Sequence, residues 1–426
     1  MRKDKPFLDP IHDCGLLGVV RSVYGMPDCA VIIHGRPGCH SGMLTLQGLT
    51  GPQTRMNIVY SGLKDEDLAI GGEEVLKKAI INTYKILKPS LIVVASASAV
   101  GVMGDDVDGV IREVSPQIKT KIIHIQAHGY TKQEQTTYEE TLEAIAGLCK
   151  KSESKDENSI NIIGFRCDLP HWRQDLEEIL KILREQEIKV NIVVPYSSFR
   201  DLEENIGRAC LNVVLGGDGI LMARRLEKEL GIPYIVVPYP YGIENMRFMI
   251  EEVCRELGRR PNLEMIRKEQ ENALSIIRDH YTYVDGVYGS LLCCLIGDQS
   301  RVIYMAEVVE NELGMPVEFV VVRSRNPFYS INSRFNVMYE IDFNEFVKNV
   351  VEKDIDVVYG STFERVLSSR YNKALVRVFY PTFDEVVLTD KPLVGPRGLL
   401  TIFEKTLNEI MRCQERAEVR YFSNLS

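Results

Sequence analysis

The sequence predicts an α/β protein built from three Rossmann-like domains, each a parallel sheet flanked by helices. One unit recurs along the chain: a short apolar strand, a turn with glycine or proline, and an amphipathic helix. A length of 426 residues supports three domains, at roughly 150 residues each. Residues 150–159, KKSESKDENS, have the composition of a linker. We therefore expect domains at 1–155, 156–286 and 287–426, the last with a C-terminal helix.

Apolar runs and their flanking turn residues place the individual elements. In the first domain we predict strands at 30–34, 91–95 and 121–126, and helices from about 38, over 73–87, and through 114 after a cap at Gly104-Asp105-Asp106. The second domain should have strands at 160–164, 190–194, 212–215 and 234–237, with helices at 172–186, up to 230, and at 264–280. The third should have strands at 290–297, 317–321, 356–359 and 375–379.

The glycine clusters do not indicate a nucleotide-binding enzyme. The chain has no G-x-x-x-x-G-K-S/T motif, so we do not expect it to bind ATP through a P-loop. Gly216-Gly217-Asp218-Gly219 lacks the spaced G-x-G-x-x-G pattern of a dinucleotide site. This cluster instead predicts a tight turn between a strand and a helix.

Charge and hydropathy exclude two classes of partner. The chain has 51 basic and 60 acidic residues, a net charge of -9, and no basic cluster interleaved with aromatic residues. Nucleic acid is therefore not an expected partner. The longest apolar runs, 91–100 and 291–296, are shorter than the ~18 residues of a membrane span, and the start MRKDKPFLDP has no apolar signal region. We expect a cytoplasmic protein.

Two of the ten cysteines attract attention by their position. A cytoplasmic chain keeps its thiols reduced, so the cysteines do not predict disulfides, and most lie in apolar patterns typical of a core. Cys14 and Cys39 are different. Cys39 follows the predicted strand 30–34 and an Arg-Pro-Gly turn, where a strand passes into a helix. Ligands collect at this end of the strands in an open parallel sheet.

Three motifs, in order along the chain, resemble component 1 of the nitrogenase family. The first is CGLLGVV from Cys14, followed 25 positions later (39 − 14) by Cys39 in HGRPGC. The second combines GGEE at 71–74, KP at 88–89, the run 91–98 and GDD at 104–106. The third is VFYPTFD at 378–384 with GPRG at 395–398. The resemblance covers nearly the whole chain and is nearest to the β-type subunit.

The resemblance implies that Cys14 and Cys39 are metal ligands of an iron-sulfur cluster, and the departures limit what it implies further. Ser98 stands where the family's subunits carry a third cysteine. The cofactor cysteine of the α-type subunit would align near Gly216, and the loop 395–398 has no histidine. The chain therefore resembles a β-type subunit, a cofactor scaffold or a nitrogenase-like reductase, rather than a cofactor-holding α-type subunit.

Two thiolates are half of what a 4Fe-4S cluster needs. Equivalent cysteines of a partner chain would complete the ligand set that Cys14 and Cys39 begin. A 4Fe-4S or P-cluster-like group would then be shared across a subunit interface. Ser98 is either an oxygen ligand or a turn hydroxyl bonded to the backbone. His34 and His40 are candidates for hydrogen bonds to the cluster, or else structural side chains.

Three further features complete the candidate site. Gly35 and Gly38 should let the backbone approach a cluster and adopt dihedrals that other residues resist. In the second domain, Cys167 and His171 follow the first strand and could form a substrate or interface pocket. Pro170 argues against a single helical face for this pair. The catalytic residues themselves stay unknown.

Three functions follow from the resemblance, and one does not depend on it. The first is an electron-relay oxidoreductase subunit that receives electrons from an ATP-hydrolysing iron protein and works with an α-type subunit or a second copy of itself. The second is a scaffold for assembly of a nitrogenase-type metallocofactor. The third is a homodimeric tetrapyrrole reductase component with one shared 4Fe-4S cluster. A ligand-binding protein without any cluster is the non-redox alternative, since fold alone does not fix function.

Overall fold

A computed structural model describes residues 14–49, 56–280 and 291–423 of the chain. These residues form three sheets, and every strand pair within them is parallel. Helices pack on the sheets, as parallel β connections require. The predicted fold class, three parallel sheets flanked by helices, is confirmed.

The first sheet has the strand order β2-β1-β3-β4. Its unit comprises α1 (Gly15–Ser22), β1 (Cys29–His34), α2 (Pro37–Leu49), β2 (Asn57–Tyr60), α3 (Asp67–Ile70), α4 (Glu73–Leu87), β3 (Leu91–Ser96), α5 (Ser98–Met103), α6 (Val107–Val114), β4 (Lys121–Gln126) and α7 (Glu134–Ala146). β1 and β3 are fully buried, which agrees with their apolar runs 29–33 and 91–95, each followed by one buried polar residue. The predicted cap is confirmed at Asp106, whose Oδ1 accepts the Gly109 N–H at 2.8 Å.

The second sheet has the order β6-β5-β7-β8. Its unit comprises β5 (Asp156–Ile163), α8 (Trp172–Glu185), β6 (Lys189–Val194), α9 (Phe199–Asn205), β7 (Ala209–Leu215), α10 (Ile220–Leu230), β8 (Tyr234–Val237), α11 (Glu244–Glu256) and α12 (Glu264–Asp279). The linker prediction was wrong for residues 156–159, because β5 already begins at Asp156. Backbone pairing to neighbouring strands, such as Ser159 with Lys189, allows a polar sequence there.

The third sheet has five strands in the order β11-β10-β9-β12-β13. Its unit comprises β9 (Cys293–Gly297), α13 (Gln299–Asn311), β10 (Val317–Val322), β11 (Val337–Tyr339), α14 (Phe343–Glu352), β12 (Val357–Gly360), α15 (Arg365–Tyr371), β13 (Ala374–Arg377) and α16 (Gly395–Ser423). The predicted last strand ends early, at Arg377. Val378 and Phe379 are buried, but both of their N–H groups bond to the Gly360 carbonyl instead of continuing the ladder.

The predicted domain boundaries can be compared only with the positions of the strands. The first boundary, at 155/156, falls directly before β5, and the second, at 286/287, lies outside the described residues. That the three units are independent domains stays a prediction. No helix in the described ranges is long and apolar enough to cross a bilayer.

The turn between β7 and α10 depends on glycine, as the sequence predicts. Gly216, Gly217 and Gly219 all have positive φ, at 61°, 87° and 79°. A Cβ on Gly216 would lie 2.1 Å from the Ser300 carbonyl oxygen, so the second unit packs directly on the third at this turn. The turn therefore fixes both a local conformation and the distance between the second and third units at this point.

Replacing Gly216 with Ala should cost more stability than replacing Gly231, which also has positive φ (67°) but nothing within 4 Å of its Cβ position. The conformation alone costs roughly 1–2 kcal/mol at either site. The clash with Ser300 should add about 1–3 kcal/mol for G216A only. Urea unfolding of both variants measures the difference, and equal losses would contradict this packing.

Candidate functional site at the edge of the first sheet

Three loops interlock at the carboxyl edge of the first sheet. The Ala97 N–H, after β3, donates to the His34 carbonyl at the end of β1 over 2.8 Å. The Ala127 N–H, after β4, donates to the Ser96 carbonyl at the end of β3 over 3.0 Å. The segments that follow three neighbouring parallel strands are therefore held at one edge, where ligands bind in such sheets.

Cys39 and Ser98 begin the helices that follow two of these loops. Cys39 lies in the first turn of α2, and Ser98 is the first residue of α5. A Cβ on Gly35 would lie 2.5 Å from the Ala97 Cβ and 3.9 Å from the Cys39 Cβ, so Gly35 permits the close approach of the two loops. The Ser98 hydroxyl accepts the Gly129 N–H at 3.1 Å, which is the turn role that the sequence left open.

Cys14 reaches the same edge from the start of α1. It is the N-cap residue of that helix and is half-buried. A Cβ on the next residue, Gly15, would lie 3.1 Å from both the carbonyl carbon and the oxygen of Ala127, the residue that follows β4. Cys14 and Cys39 both pack against the same apolar core, which includes Val31 of β1. The structure thus brings the two predicted cysteines to one edge.

The electrostatics of the two thiols reflect this position. Burial raises the pKa of the Cys14 thiol, the N–H groups of Leu16 and Leu17 oppose the rise, and Cys39 adds to it. Burial also raises the pKa of Cys39, while backbone N–H groups and the Arg36 guanidinium oppose it. Helix N-terminal N–H groups and a cation are the features that favour a thiolate. Both cysteines are therefore protonated when free, but stand where a metal could displace the proton.

The two cysteines are not joined by further ligands from the described chain. Within residues 14–49, 56–280 and 291–423, no group of three or more His, Cys, Asp or Glu side chains is placed to hold a metal ion. A tetrahedral thiolate site, or an iron-sulfur cube, needs more donors than these two. The donor set at this edge is thus half of such a site.

His34 has partners within its own unit. Its ring Nε2 lies 3.1 Å from Asp105 Oδ2 and its Nδ1 lies 3.1 Å from Ser61 Oγ. A carboxylate only accepts, so Nε2–H donates to Asp105 and Nδ1 accepts from Ser61. Burial lowers the pKa of His34, and Asp105 opposes the shift. His40 stacks on Tyr60, with ring centroids 5.3 Å apart.

The expected dihedrals of Gly35 and Gly38 are not found. Neither has a positive φ, so a residue with a side chain could adopt the backbone conformation at both positions. Gly35 is needed for its contact with Ala97, as described above. At Gly38 a Cβ would meet no atom of the described residues within 4 Å, so those residues leave space beside the first turn of α2.

Cys167 and His171 are both buried but face different units. The Cys167 Sγ would lie 3.0 Å from a Cβ on Gly25, in the first unit. The His171 Nδ1–H donates to the Lys391 carbonyl in the third unit at 2.6 Å. His171 is the N-cap of α8, and it lines a surface pocket of about 360 Å³ with residues of α16. Their role as a substrate or interface pocket stays a prediction.

Buried charges fill the junction between the three units, and sequence reasoning missed them. Arg21 bonds Glu134 of the first unit and Asp168 of the second, both at 2.6 Å, and Asp298 of the third at 2.7 Å. Arg301 also pairs with Asp298, at 2.5 Å. Charged residues inside or directly after apolar runs could have indicated buried charges. Their partners are distant in sequence, so the pairs could not be identified from it.

A second set of contacts in this junction is centred on Glu139 of α7. Its carboxylate accepts the Gly219 N–H at 2.8 Å, the Leu221 N–H at 3.1 Å and the Asn326 amide at 2.9 Å. Glu139 thereby caps α10 of the second unit and also binds the third. Burial, with Asp218 nearby, raises the pKa of Glu139 from 4.5 to about 8.

Three parallel sheets flanked by helices, with two thiols at one sheet edge, define an α/β protein of three sheet units. Comparison with known proteins identifies the family. A model described as "Nitrogenase component 1 type Oxidoreductase" matches residues 14–411. The chain therefore belongs to the nitrogenase component 1 family of oxidoreductases, as its motifs indicated.

Several known proteins are similar to this chain over most of its length. The chain is 26% identical to a nitrogenase iron-molybdenum cofactor biosynthesis protein NifE from Clostridium pasteurianum, over 83% of this chain and 78% of that protein. It is 26% identical to a nitrogenase vanadium-iron protein beta chain from Trichormus variabilis (92% and 91% covered). It is 23% identical to a subunit of the light-independent protochlorophyllide reductase from Jannaschia (93% and 76%).

A solved structure agrees with the architecture. "Nitrogenase Cp1 at pH 6.5" superposes with a TM-score of 0.82 at 20% identity, and the match covers 98% of this chain and 96% of the other. At 20% sequence identity, this structural similarity supports the assignment of the fold. It also agrees with the three parallel sheets described above.

Glu139 should make stability fall as pH rises. Its folded pKa, about 8, lies above the ordinary value of 4.5, so its contribution is complete below about pH 4.5 and is lost as the pH rises through about 8. Between about pH 5.5 and 7.5, wild-type unfolding free energy should fall by up to ~1.4 kcal/mol per pH unit more steeply than that of E139Q. Urea unfolding across this range measures the slope.

The neighbouring residue provides the control for this measurement. Glu140 is partly exposed and pairs with Lys132 at 2.7 Å, outside the junction. The E140Q variant should keep the wild-type slope. If E139Q also keeps it, Glu139 does not take up a proton on folding.

Proposed function

We propose that this chain is the cluster-bearing subunit of a nitrogenase-like reductase. Cys14 and Cys39 would hold one side of an iron-sulfur cluster, and a second chain, either an α-type subunit or another copy, would hold the other. Electrons would come from an ATP-hydrolysing iron protein and pass to a substrate or cofactor site. When bound, the cluster supplies one-electron chemistry at low potential.

One observation carries the proposal: two half-buried thiols lie at the same interlocked sheet edge, and no group of three or more metal-binding side chains is found among the described residues. A group that needs four thiolates can be completed only by another chain or by residues outside the described ranges. Two ligands from each of two like chains give the required number. The family and its relatives make iron-sulfur the expected chemistry for this donor set.

The residues of this edge fit such a group. The N-terminal N–H groups of α1 and the Arg36 cation favour the thiolate form of the two cysteines once the proton is displaced. Open space beside Gly38 leaves room next to Cys39. The Ser98 hydroxyl oxygen accepts the Gly129 N–H and has a second lone pair, so an oxygen ligand at this position stays part of the proposal.

A scaffold for metallocofactor assembly is the second candidate. The relative from Clostridium pasteurianum is named for cofactor biosynthesis, and its similarity extends over most of both chains. A scaffold would use the same two cysteines, but would hold iron without turning over a substrate. The relation to the protochlorophyllide reductase from Jannaschia supports the third candidate, a tetrapyrrole reductase component.

Removing either cysteine should remove the iron. We expect C14A and C39A, purified without oxygen, to lose most of the iron and acid-labile sulfide of the wild-type protein, together with the EPR signal of the dithionite-reduced state. C149A is the matched control, because Cys149 is also half-buried but lies beyond the end of α7, where its thiol donates to the Ile145 carbonyl. It should keep wild-type iron.

The stoichiometry and the mass in solution separate the candidates. About two irons per chain in a homodimer would indicate one shared 4Fe-4S cluster and a small-cluster reductase. About four or more per chain, seen only with a second subunit, would indicate a larger interface cluster in a relay or scaffold complex. A wild-type protein without iron, or a C39A variant with all of it, would rule out the cluster.

A further inference from the structure

Asp105 points inward, although its sequence suggests a simple helix cap. Of the pair Asp105-Asp106, Asp106 caps α6 and its side chain is 67% exposed, whereas the side chain of Asp105 is 2% exposed. Asp105 accepts the Gly72 N–H, with distances of 3.2 and 3.1 Å to its two oxygens, and the His34 Nε2–H at 3.1 Å. The first aspartate thus has a role that helix capping does not explain.

These contacts join segments that are remote in sequence. His34 ends β1, Asp105 follows α5, Gly72 precedes α4, and Ser61, which bonds the other nitrogen of His34, follows β2. No side chain fits at Gly72, because a Cβ there would lie 2.7 Å from Asp105 Oδ2 and 2.9 Å from His34 Cε1. The four residues form a buried chain of hydrogen bonds, from Ser61 through His34 and Asp105 to Gly72, which we call the His34–Asp105 clamp.

The clamp lies behind the cysteine site. His34 is five residues before Cys39, and its carbonyl already accepts the Ala97 N–H, one residue before Ser98. The loop after β1 and the segment after β3 are therefore fixed to each other twice, once through the backbone and once through the His34 and Asp105 side chains across α5. The second contact therefore adds a restraint on the position of α5 relative to the turn before Cys39.

We propose that His34 and Asp105 are positioning residues for the cluster: they set the distance between the Cys39 turn and α5 without touching the metal themselves. The inference rests on the proposed function, since it needs a cluster at Cys14 and Cys39. It assigns a role in metal binding to an aspartate that has no cluster contact. It also makes the histidine act through its neighbours, not as a direct partner of the cluster.

Adjacent aspartates provide a matched test. The D105N variant places an amide where Asp105 accepts both the Gly72 and the His34 donors, and we expect iron per chain to fall at least about threefold, with a broadened or shifted EPR signal in the remaining cluster. The D106N variant keeps a side-chain oxygen that can accept the Gly109 N–H, because Asn and Asp are equally good N-cap residues. It should therefore keep wild-type iron and the wild-type EPR signal.

Two variants of His34 test the clamp without changing its aspartate. In H34Q the amide can still donate to Asp105 and accept from Ser61, so this variant should recover much of the iron that H34A loses. Wild-type iron and EPR in D105N, an equal loss in D106N, or equal iron in H34Q and H34A would each overturn the clamp. A wild-type protein without iron would instead overturn the proposed function and the clamp together.

Discussion

The placement of Arg21 determines how the three units fit together. A guanidinium has five donors in a fixed plane, and Arg21 uses them to bind Glu134, Asp168 and Asp298, one carboxylate from each unit. The exposed fractions of these side chains are 0–4%, so none of the charges can be satisfied by water. Buried charges must be paired, and losing one partner typically costs about 3–5 kcal/mol. The three units are therefore held at fixed distances from this one side chain.

The same helix connects the junction to the cysteine site. α1 begins after Cys14 and carries Arg21 in its last turn, seven positions (21 − 14) or about two helical turns away. α1 is buried along its whole length and packs on α7, which supplies Glu134 and Glu139. Since a buried helix moves as a rigid body, the position of the Cys14 thiol follows the position of Arg21. The architecture of the whole chain thus fixes the position of Cys14, while the local loops of the first sheet fix the position of Cys39.

The contrast between the charged junction of the three units and the cysteine-bearing edge of the first sheet also indicates where ligands can bind. In parallel α/β units the crevice at the carboxyl ends of the strands is the usual ligand site. In the second and third units, residues after β5 and β9, among them Asp168 and Asp298, fill that crevice with ion pairs. In the first unit the corresponding edge presents half-buried thiols instead. This contrast favours the first sheet as the place of the chemistry.

Local sequence patterns were sufficient to predict most of the helices and strands. They were not sufficient to predict which distant residues pair with each other. The helix at 73–87 and the strand at 121–126 agree with the structure at both ends, because each has a clear apolar period and clear turn residues. The helix at Gly15–Ser22 was missed, since a segment buried on all sides has no polar face. Arg21 and Asp298 are separated by 277 positions, and the sequence around either residue does not indicate that the other is its partner. The position of Cys39 at a sheet edge was predictable from the strand-to-helix pattern, and Cys14 was paired with it through the family resemblance, but the junction was not predictable.

Strand alternation gives the reason why His34 belongs to the clamp. Side chains two positions apart share a face, so His34 lies on the same face of β1 as Ile32, which packs in the smaller apolar cluster with residues of α4 and α6. Val31 and Ile33 face the other way, into the larger core against which both cysteines pack. Nearness to Cys39 in sequence suggested a contact with the cluster, but the two-residue period directs the imidazole to the opposite face. A histidine on that face can influence the cysteines only through the loops it fixes, which is the role that its bonds to Asp105 and Ser61 allow.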